Sequence, residues 1–332
     1  MNTYLGNPMQ TSGIYEYRLT GGKGDGMRML RVKNGLGLDF EISLDRCADI
    51  VTLSYNGANM GYFAPCGYVH PSYYVGRGTE FLKSFTAGFF TTCGLIAVGS
   101  PCIDMGEELP LHGNISNVPS ESHSFTEDEN NICVKAIVRD SSLFSHMLLL
   151  ERTYTISKKD NSVTLEDKIT NVGTKESPVM LLYHCNMGYP LLSENSKVVI
   201  DAESVVPRDD HAATDTANCL KMLKPQRDFV EMCYYHDVKV KNGFASCGIY
   251  NPDIDKGVVI RYNKDKLDRF TEWKMMGEVE YVLGLEPGNC TPDGRNVLRE
   301  KGELKFLRPG EKYKTMLKFI FSDSEKQFKE TL

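Results

Sequence analysis

Neither a C-x-x-C pair nor an uninterrupted apolar run of membrane length occurs in the 332-residue sequence. The first absence argues against a zinc knuckle or a thioredoxin-like redox motif, both of which need two thiolates side by side. The second leaves the chain short of the roughly 18 apolar residues of a membrane span, so no membrane partner is expected. No basic block stands out: 38 Lys and Arg face 44 Asp and Glu, a net charge of −6. A nucleic-acid binder needs a cationic footprint, so no nucleic-acid partner is expected. The opening MNTYLGNPMQ lacks a basic segment followed by an apolar one, the mark of a secretory signal. Ten cysteines without that signal read as reduced, mostly buried thiols in a cytoplasmic protein.

Helical periodicity is also scarce. One stretch after Pro225, QRDFVEMCYY, predicts a single short helix. What dominates is period-two alternation. Tyr313, Thr315, Leu317, Phe319 and Phe321 share one parity, with Lys314 and Lys318 on the other. MRMLRVKNG, LDFEISLD, ICVKAIVR, KVVIDAES, GVVIRYN and VEYVLGLE predict further strands, and GELKFLRPGE predicts one closed by Pro309-Gly310. Many strands separated by Gly, Asn and Asp turns predict an all-β, antiparallel sandwich or barrel with few short helices. No linker or repeat divides the sequence, so residues 1–332 are expected to form one domain. Gly21-Gly22-Lys23-Gly24-Asp25-Gly26 has the look of a phosphate loop but lacks the Gly-Lys-Ser/Thr ending and a following helix. It predicts a hairpin connection.

Four segments hold candidate chemistry. In Asp45-Arg46-Cys47-Ala48-Asp49, two acids flank an arginine, suited either to polyol hydroxyls or to a structural ion pair. In Phe81 to Leu95 and Leu109 to Gly113, Lys83 and His112 are the polar exceptions in apolar surroundings. In Val179 to Pro190, His184 and Asn186 stand two apart on a strand and so share a face. Imidazole titrates near neutrality and suits proton transfer. In Tyr281 to Gly288, Leu283 and Leu285 predict a core-facing side, which places Glu286 on the other, just before a Pro-Gly turn.

The segments DRCADI, FLKSFTAGFFTTCGL, LPLHGNISNVP, LLYHCNMGYPLL, WKMMG and YVLGLEPGN follow one another in an order that resembles the galactose mutarotase-like, or aldose 1-epimerase, superfamily, and more closely its aldose-epimerase-like branch. Asn171 in ITNVG also fits that pattern as an Asn that closes a strand. The resemblance implies a β-supersandwich with a sugar bound across one sheet. It implies His184 as general acid, Glu286 as general base and His112 as a second histidine near the ring oxygen. Lys83 stands near where the family has a sugar-binding arginine, a departure because an ammonium is a point charge without the guanidinium fork.

The chemistry this implies is ring opening and reclosure of a sugar by general acid–base catalysis, with no metal or redox cofactor. Asn186, Lys83, Arg46, Asp49 and His236 are expected to position hydroxyls. Trp273, the only tryptophan, would stack on a sugar face or belong to the core. The expected partner is a small-molecule sugar, and a homodimer is allowed. Two other readings stay open. One is a sugar isomerase or epimerase acting at another carbon, with a divalent metal on His112, His184, His236 and Glu286. The other is a non-catalytic carbohydrate-binding protein.

Overall fold

Three antiparallel sheets and short connecting turns make up most of the computed structural model, which describes residues 3–332. A five-stranded sheet holds Ser12–Arg18, Arg28–Asn34, Leu38–Ser43, Asp49–Tyr55 and Ala58–Asn59. A nine-stranded sheet runs from Ser120–Glu127 through Asn131–Ser141, Met147–Ser157 and Ser162–Asn171 to the C-terminal strand Lys312–Ser322, and on to Lys256–Asn263, Phe244–Asn251 and Lys197–Ile200, with Val240–Lys241 beside it. A six-stranded sheet carries, in spatial order, Ala202–Pro207, Met232–Val238, Arg269–Met276, Tyr281–Gly288, Met180–Met187 and Phe90–Leu95. Among the described residues the α-helices are Asp210–Ala213, Arg295–Glu300 and Glu325–Thr331, all short. None is long and apolar enough to cross a membrane.

Alternation builds these sheets. In Lys312–Ser322 the residues Thr315, Leu317, Phe319 and Phe321 are buried, while Lys314 stays exposed. One continuous core draws Leu30 and Phe40 from the first sheet, Ile156, Leu165 and Phe319 from the second, and Tyr183, Leu283 and Leu285 from the third. The glycine run Gly21–Gly26 connects the paired strands Ser12–Arg18 and Arg28–Asn34, as a hairpin connection should. Asn171 closes its strand with its amide donated to the carbonyls of Lys175 and Leu307.

Three expectations change. The segment after Pro225 is not helical: its second half is the strand Met232–Val238, laid against Arg269–Met276 with Cys233 opposite Trp273. Pairing to a long neighbour outweighs a weak local helical pattern. The strand of Glu286 does not stop at the carboxylate but continues through Pro287-Gly288, because Gly288 pairs with both Leu182 and Arg269. Before Pro309-Gly310 only Phe306–Leu307 is strand.

Between the sheets lies a buried charge network that decides the fate of DRCADI. Arg152 is fully buried and donates to Asp49, to both oxygens of Asp167, to the carbonyl of Cys47 and to the Thr92 hydroxyl. Asp49 in turn accepts from the Thr92 amide at 2.8 Å and hydroxyl at 2.6 Å. The turn between Leu38–Ser43 and Asp49–Tyr55 is thereby tied to Phe90–Leu95, the edge strand of the six-stranded sheet. A buried guanidinium needs this complete set of partners to offset its desolvation.

Candidate active site

The six-stranded sheet presents one face to the core and the other to a groove enclosing about 520 Å³. Register assembles the site. Cys185 pairs with Leu285 and Asn186 with Gly284, which sets His184 directly opposite Glu286. Thr91 lies opposite His184 on one side, Thr271 opposite Glu286 on the other, and Tyr235 opposite Thr271 beyond it. Two residues further along, on the same face, Trp273 lies opposite Gly284 and Cys233 opposite Trp273, and the Arg208 amide bonds the Cys233 carbonyl. The site is thus two adjacent cross-strand rows, contributed by strands far apart in sequence.

His184 Nδ1 and Glu286 Oε1 stand 3.2 Å apart with side chains almost wholly buried. They are close enough for an ion pair but not aligned for a hydrogen bond, so both atoms lack a partner. Room for the carboxylate comes from Gly284, where a Cβ would meet Glu286 Oε1 at 2.2 Å. Aromatic rings wall the imidazole: Phe85 at 5.2 Å, His112 at 5.5 Å and Trp273 at 5.2 Å, each edge to face.

His112 arrives on a turn. It has φ +59 and Gly113 has φ +73, and a side chain at Gly113 would strike the carbonyls of Gly94 and Ala97. The left-handed conformation of His112, a non-glycine residue, carries a strain that the surroundings must hold, a feature common at functional sites. The Gly99 amide donates to His112 Nδ1 at 3.4 Å, which leaves Nε2 to carry the ring proton.

Burial controls the charges. It pushes His184 down to about 3, helped by the neighbouring His112, and His112 down to about 4. It holds the Glu286 carboxyl well above the usual carboxylate range, with the charge of Glu231 adding to the effect. Burial thus favours the neutral form of both side chains.

The groove's polar wall comes from residues that sequence reading did not single out. Arg208 contacts Glu231 at 3.4 Å and donates to Cys233 Sγ at 3.0 Å, and the Trp273 indole donates to Glu231 at 2.6 Å. Arg208, in place of Lys83, brings a guanidinium to the groove. Its context, Val-Val-Pro-Arg-Asp-Asp, reads as a charged surface turn, so periodicity carried no signal of its position.

His112, His184, Glu286 and Trp273 all line the groove. Asn186 shares the parity of His184, but it is fully buried and donates its amide to the His184 carbonyl at 2.8 Å, supporting the strand without lining the groove. Lys83 ends a 3-10 turn, is 75% exposed and pairs with Glu80 three residues back, so it points away. Arg46 is buried and donates to the Val69 carbonyl at 3.0 Å, its guanidinium pulled down to about 10 by burial. Asp49 belongs to Arg152, and Asp45 to Arg28. The ion-pair reading of DRCADI holds, with partners other than Arg46. His236 falls on the core side of its strand, bonded to Glu272 at 2.8 Å, so the set His112, His184, His236 and Glu286 does not meet at one point. A second concavity of about 380 Å³ holds His146 and Arg295, but His146 is occupied by Asp140 and Arg295 by Asp104 and Glu107.

The same architecture occurs in solved structures. A protein provisionally named an aldose 1-epimerase, from Klebsiella pneumoniae, superposes with a TM-score of 0.90 at 23% identity, over 97% of this chain and 90% of that one. A galactose mutarotase-like protein from Clostridium acetobutylicum gives 0.70 at 15% identity, over 94% and 99%. A galactose 1-epimerase from Lactobacillus acidophilus gives 0.64 at 13%, over 95% and 100%. At these identities the likeness establishes the fold. No curated protein sequence matches the chain significantly. A family profile described as a domain of unknown function, DUF4432, matches residues 24–320. The chain belongs to that family and carries it on a galactose mutarotase-like β-supersandwich.

Proposed function

We propose that the groove binds a reducing sugar and interconverts its anomers, the chain acting as an aldose 1-epimerase-like isomerase. The observation that carries this reading is the buried, unaligned contact of His184 and Glu286 at 3.2 Å on the floor of an aromatic groove. Two buried polar atoms without partners cost free energy until a ligand supplies hydroxyls to them. An anomeric centre offers both groups needed: a hydroxyl that donates and a ring oxygen that accepts.

The reaction needs one base and one acid, which His184 and Glu286 supply when they share one proton. With that proton on His184, Glu286 takes the anomeric hydroxyl's proton and His184 protonates the ring oxygen. The bond from the anomeric carbon to the ring oxygen breaks and the open aldehyde forms. Rotation of the carbonyl and reversal of both transfers give the other anomer. Burial opposes this charge separation, and sugar hydroxyls donated to the Glu286 carboxylate offset it by stabilising the charged form. His112 Nε2 and the Arg208 guanidinium orient hydroxyls, while Trp273 and Phe85 offer faces to the ring's C–H groups. Each proton transfer is worth about 10²–10⁴-fold.

The test is NMR exchange between anomers across a panel of neutral, phosphorylated and acidic reducing sugars, with wild type and Glu286→Gln side by side. Enhanced exchange for at least one sugar, lost in the variant, is the expected result. Exchange at the uncatalysed rate for every sugar would overturn the proposal.

A further inference from the structure

Behind the groove, on the core side of the same sheet, Cys219, His236 and Glu272 each bring a ligand atom within 4.8 Å of the others. It is the one grouping of its kind among the described residues. We propose that these three side chains form a zinc site, distinct from the groove.

The chemistry of the donors supports it. A thiol sulfur, an imidazole nitrogen and a carboxylate oxygen form a borderline-soft set that suits Zn²⁺ and gives poor sites for Mg²⁺ or Ca²⁺. Bonds of about 2.0–2.3 Å to zinc need only a small inward closure of atoms already this near. All three residues are buried, and the side chains of His236 and Glu272 are completely so. His236 and Glu272 bond each other at 2.8 Å, yet one ring nitrogen of His236 and one oxygen of Glu272 remain without a partner. A buried carboxylate oxygen without a partner beside a thiol is costly, and a cation bound between them would satisfy Glu272 Oε1.

Charge also balances. Zn²⁺ is neutralised by one thiolate and one carboxylate, with the Cys219 proton released to solvent on binding. Lys274, beside Glu272 on the same face, has its own partners in the Asn218 carbonyl at 3.0 Å and Asp215 at 3.9 Å.

The site would act as a staple. Cys219 follows the turn Thr216–Asn218, which, with the helix Asp210–Ala213, packs on the rear of the sheet. His236 and Glu272 belong to the strands that present Cys233, Thr271 and Trp273 to the groove. Zinc would lock that turn against the back of the site. Trp273, adjacent to Glu272 and the only tryptophan, is a built-in reporter.

The experiment uses full-length protein purified without chelator, assayed for zinc, then stripped and titrated with Zn²⁺ and Co²⁺. Expected are zinc stoichiometric with the chain, a thiolate-to-cobalt charge-transfer band, a rise in Tm with zinc and a change in Trp273 emission. Cys219→Ser should abolish the band, His236→Ala should lower zinc affinity at least ~10-fold, the scale of losing even an outer partner, and His184→Asn should keep the band. Wild-type protein that binds neither metal would overturn the site. So would a cobalt band that persists in Cys219→Ser. Neither outcome depends on turnover of a sugar, so failure here leaves the groove reading standing.

Discussion

His184 and Glu286 face each other from neighbouring strands, Nδ1 to Oε1 at 3.2 Å, although 101 positions separate them in the sequence, from 184 to 286 with the endpoints excluded. The pairing of Cys185 with Leu285 makes this juxtaposition a property of the sheet register. A one-residue slip would send one of the two to the core. Glu286→Gln keeps the shape of the side chain and removes the base. Anomer exchange should fall by at least ~10², the low end for loss of a general base. His184→Asn should fall comparably, and the double variant should lose little more, because the two groups act as a unit. NMR exchange on the best sugar of the panel checks this.

The pH profile follows from the same pair. Its productive state holds one proton. On the acid side kcat/KM should fall only as His184 gains a second proton, toward about 3. On the alkaline side it should fall as Glu286 loses its proton, above the usual carboxylate range. The profile is therefore a broad plateau across neutral pH, and kcat/KM is the quantity that reports the free enzyme. An acid limb centred near 6.5 would show an imidazole titrating as if in water.

Stability should respond to pH with opposite signs. His112 and His184 are held neutral, below their ordinary 6.5, so their contribution is full above that value. It is lost as pH falls from about 6.5 toward about 4 and about 3, because the unfolded chain takes up protons first. Glu286 runs the other way: its contribution is full below 4.5 and is lost as pH rises toward its raised value. Glu286→Gln should therefore raise Tm at pH 7 and leave it nearly unchanged at pH 4. His112→Asn with His184→Asn should flatten the acid-side decline. Thermal melts of the three proteins across this range decide both.

Gly284 supplies a test of geometry. Its missing side chain makes the space the carboxylate occupies, and a Cβ would also come within 2.9 Å of the Trp273 Cβ. Gly284→Ala should displace Glu286 and press on Trp273. Because the closest atom is the end of a flexible side chain, the cost in stability should be modest, within about 1–3 kcal/mol for overpacking. The cost in exchange rate should be larger than that of an ordinary core substitution. Denaturant midpoints and NMR exchange on the same sample separate the two.

What could be read from the sequence follows physical lines. Strand parity assigns Leu283 and Leu285 to the core and Glu286 to the opposite face because period two is a local property. It does not tell which distant strand lies alongside, and so it missed Arg208 and Glu231. Lys83 misled for a related reason: its neighbours Phe81 and Phe85 do reach the groove, but the 3-10 turn Glu80–Lys83 rotates the lysine outward. Arg46 and Asp49 look like a binding pair in sequence, and only tertiary structure brings in Arg152, more than a hundred residues away, as the true partner of Asp49. The family resemblance located His112, because nothing in the periodicity around it marks a functional turn.

That reassignment of Asp49 makes its own prediction. Asp49→Ala leaves the Arg152 guanidinium buried with part of its partner set missing. Breaking a buried pair in this way costs about 3–5 kcal/mol. The loss should appear as a lower denaturant midpoint, with sugar affinity unchanged in whatever fraction remains folded. A selective rise in KM without loss of stability would instead return Asp49 to the binding role its sequence context suggests.

Arg208 is where substrate recognition should be most sensitive. Its guanidinium reaches the groove from just past the end of the strand Ala202–Pro207 and is held there by Glu231, which also fixes the Trp273 indole. One planar fork thereby orders both a charged wall and an aromatic one. Arg208→Lys keeps the charge and discards the fork, and an ammonium cannot hold Glu231 and a sugar hydroxyl in one fixed plane. KM should rise by roughly 10-fold, the equivalent of about 1.4 kcal/mol and within the range of the net worth of one hydrogen bond. Because Arg208 contacts neither reacting atom in the proposed mechanism, kcat should change less than KM. Glu231→Gln should reproduce part of the effect through Trp273, visible as a shift in tryptophan emission. Steady-state anomer exchange over a range of sugar concentrations measures the split, and a fall confined to kcat would place Arg208 in the chemical step instead.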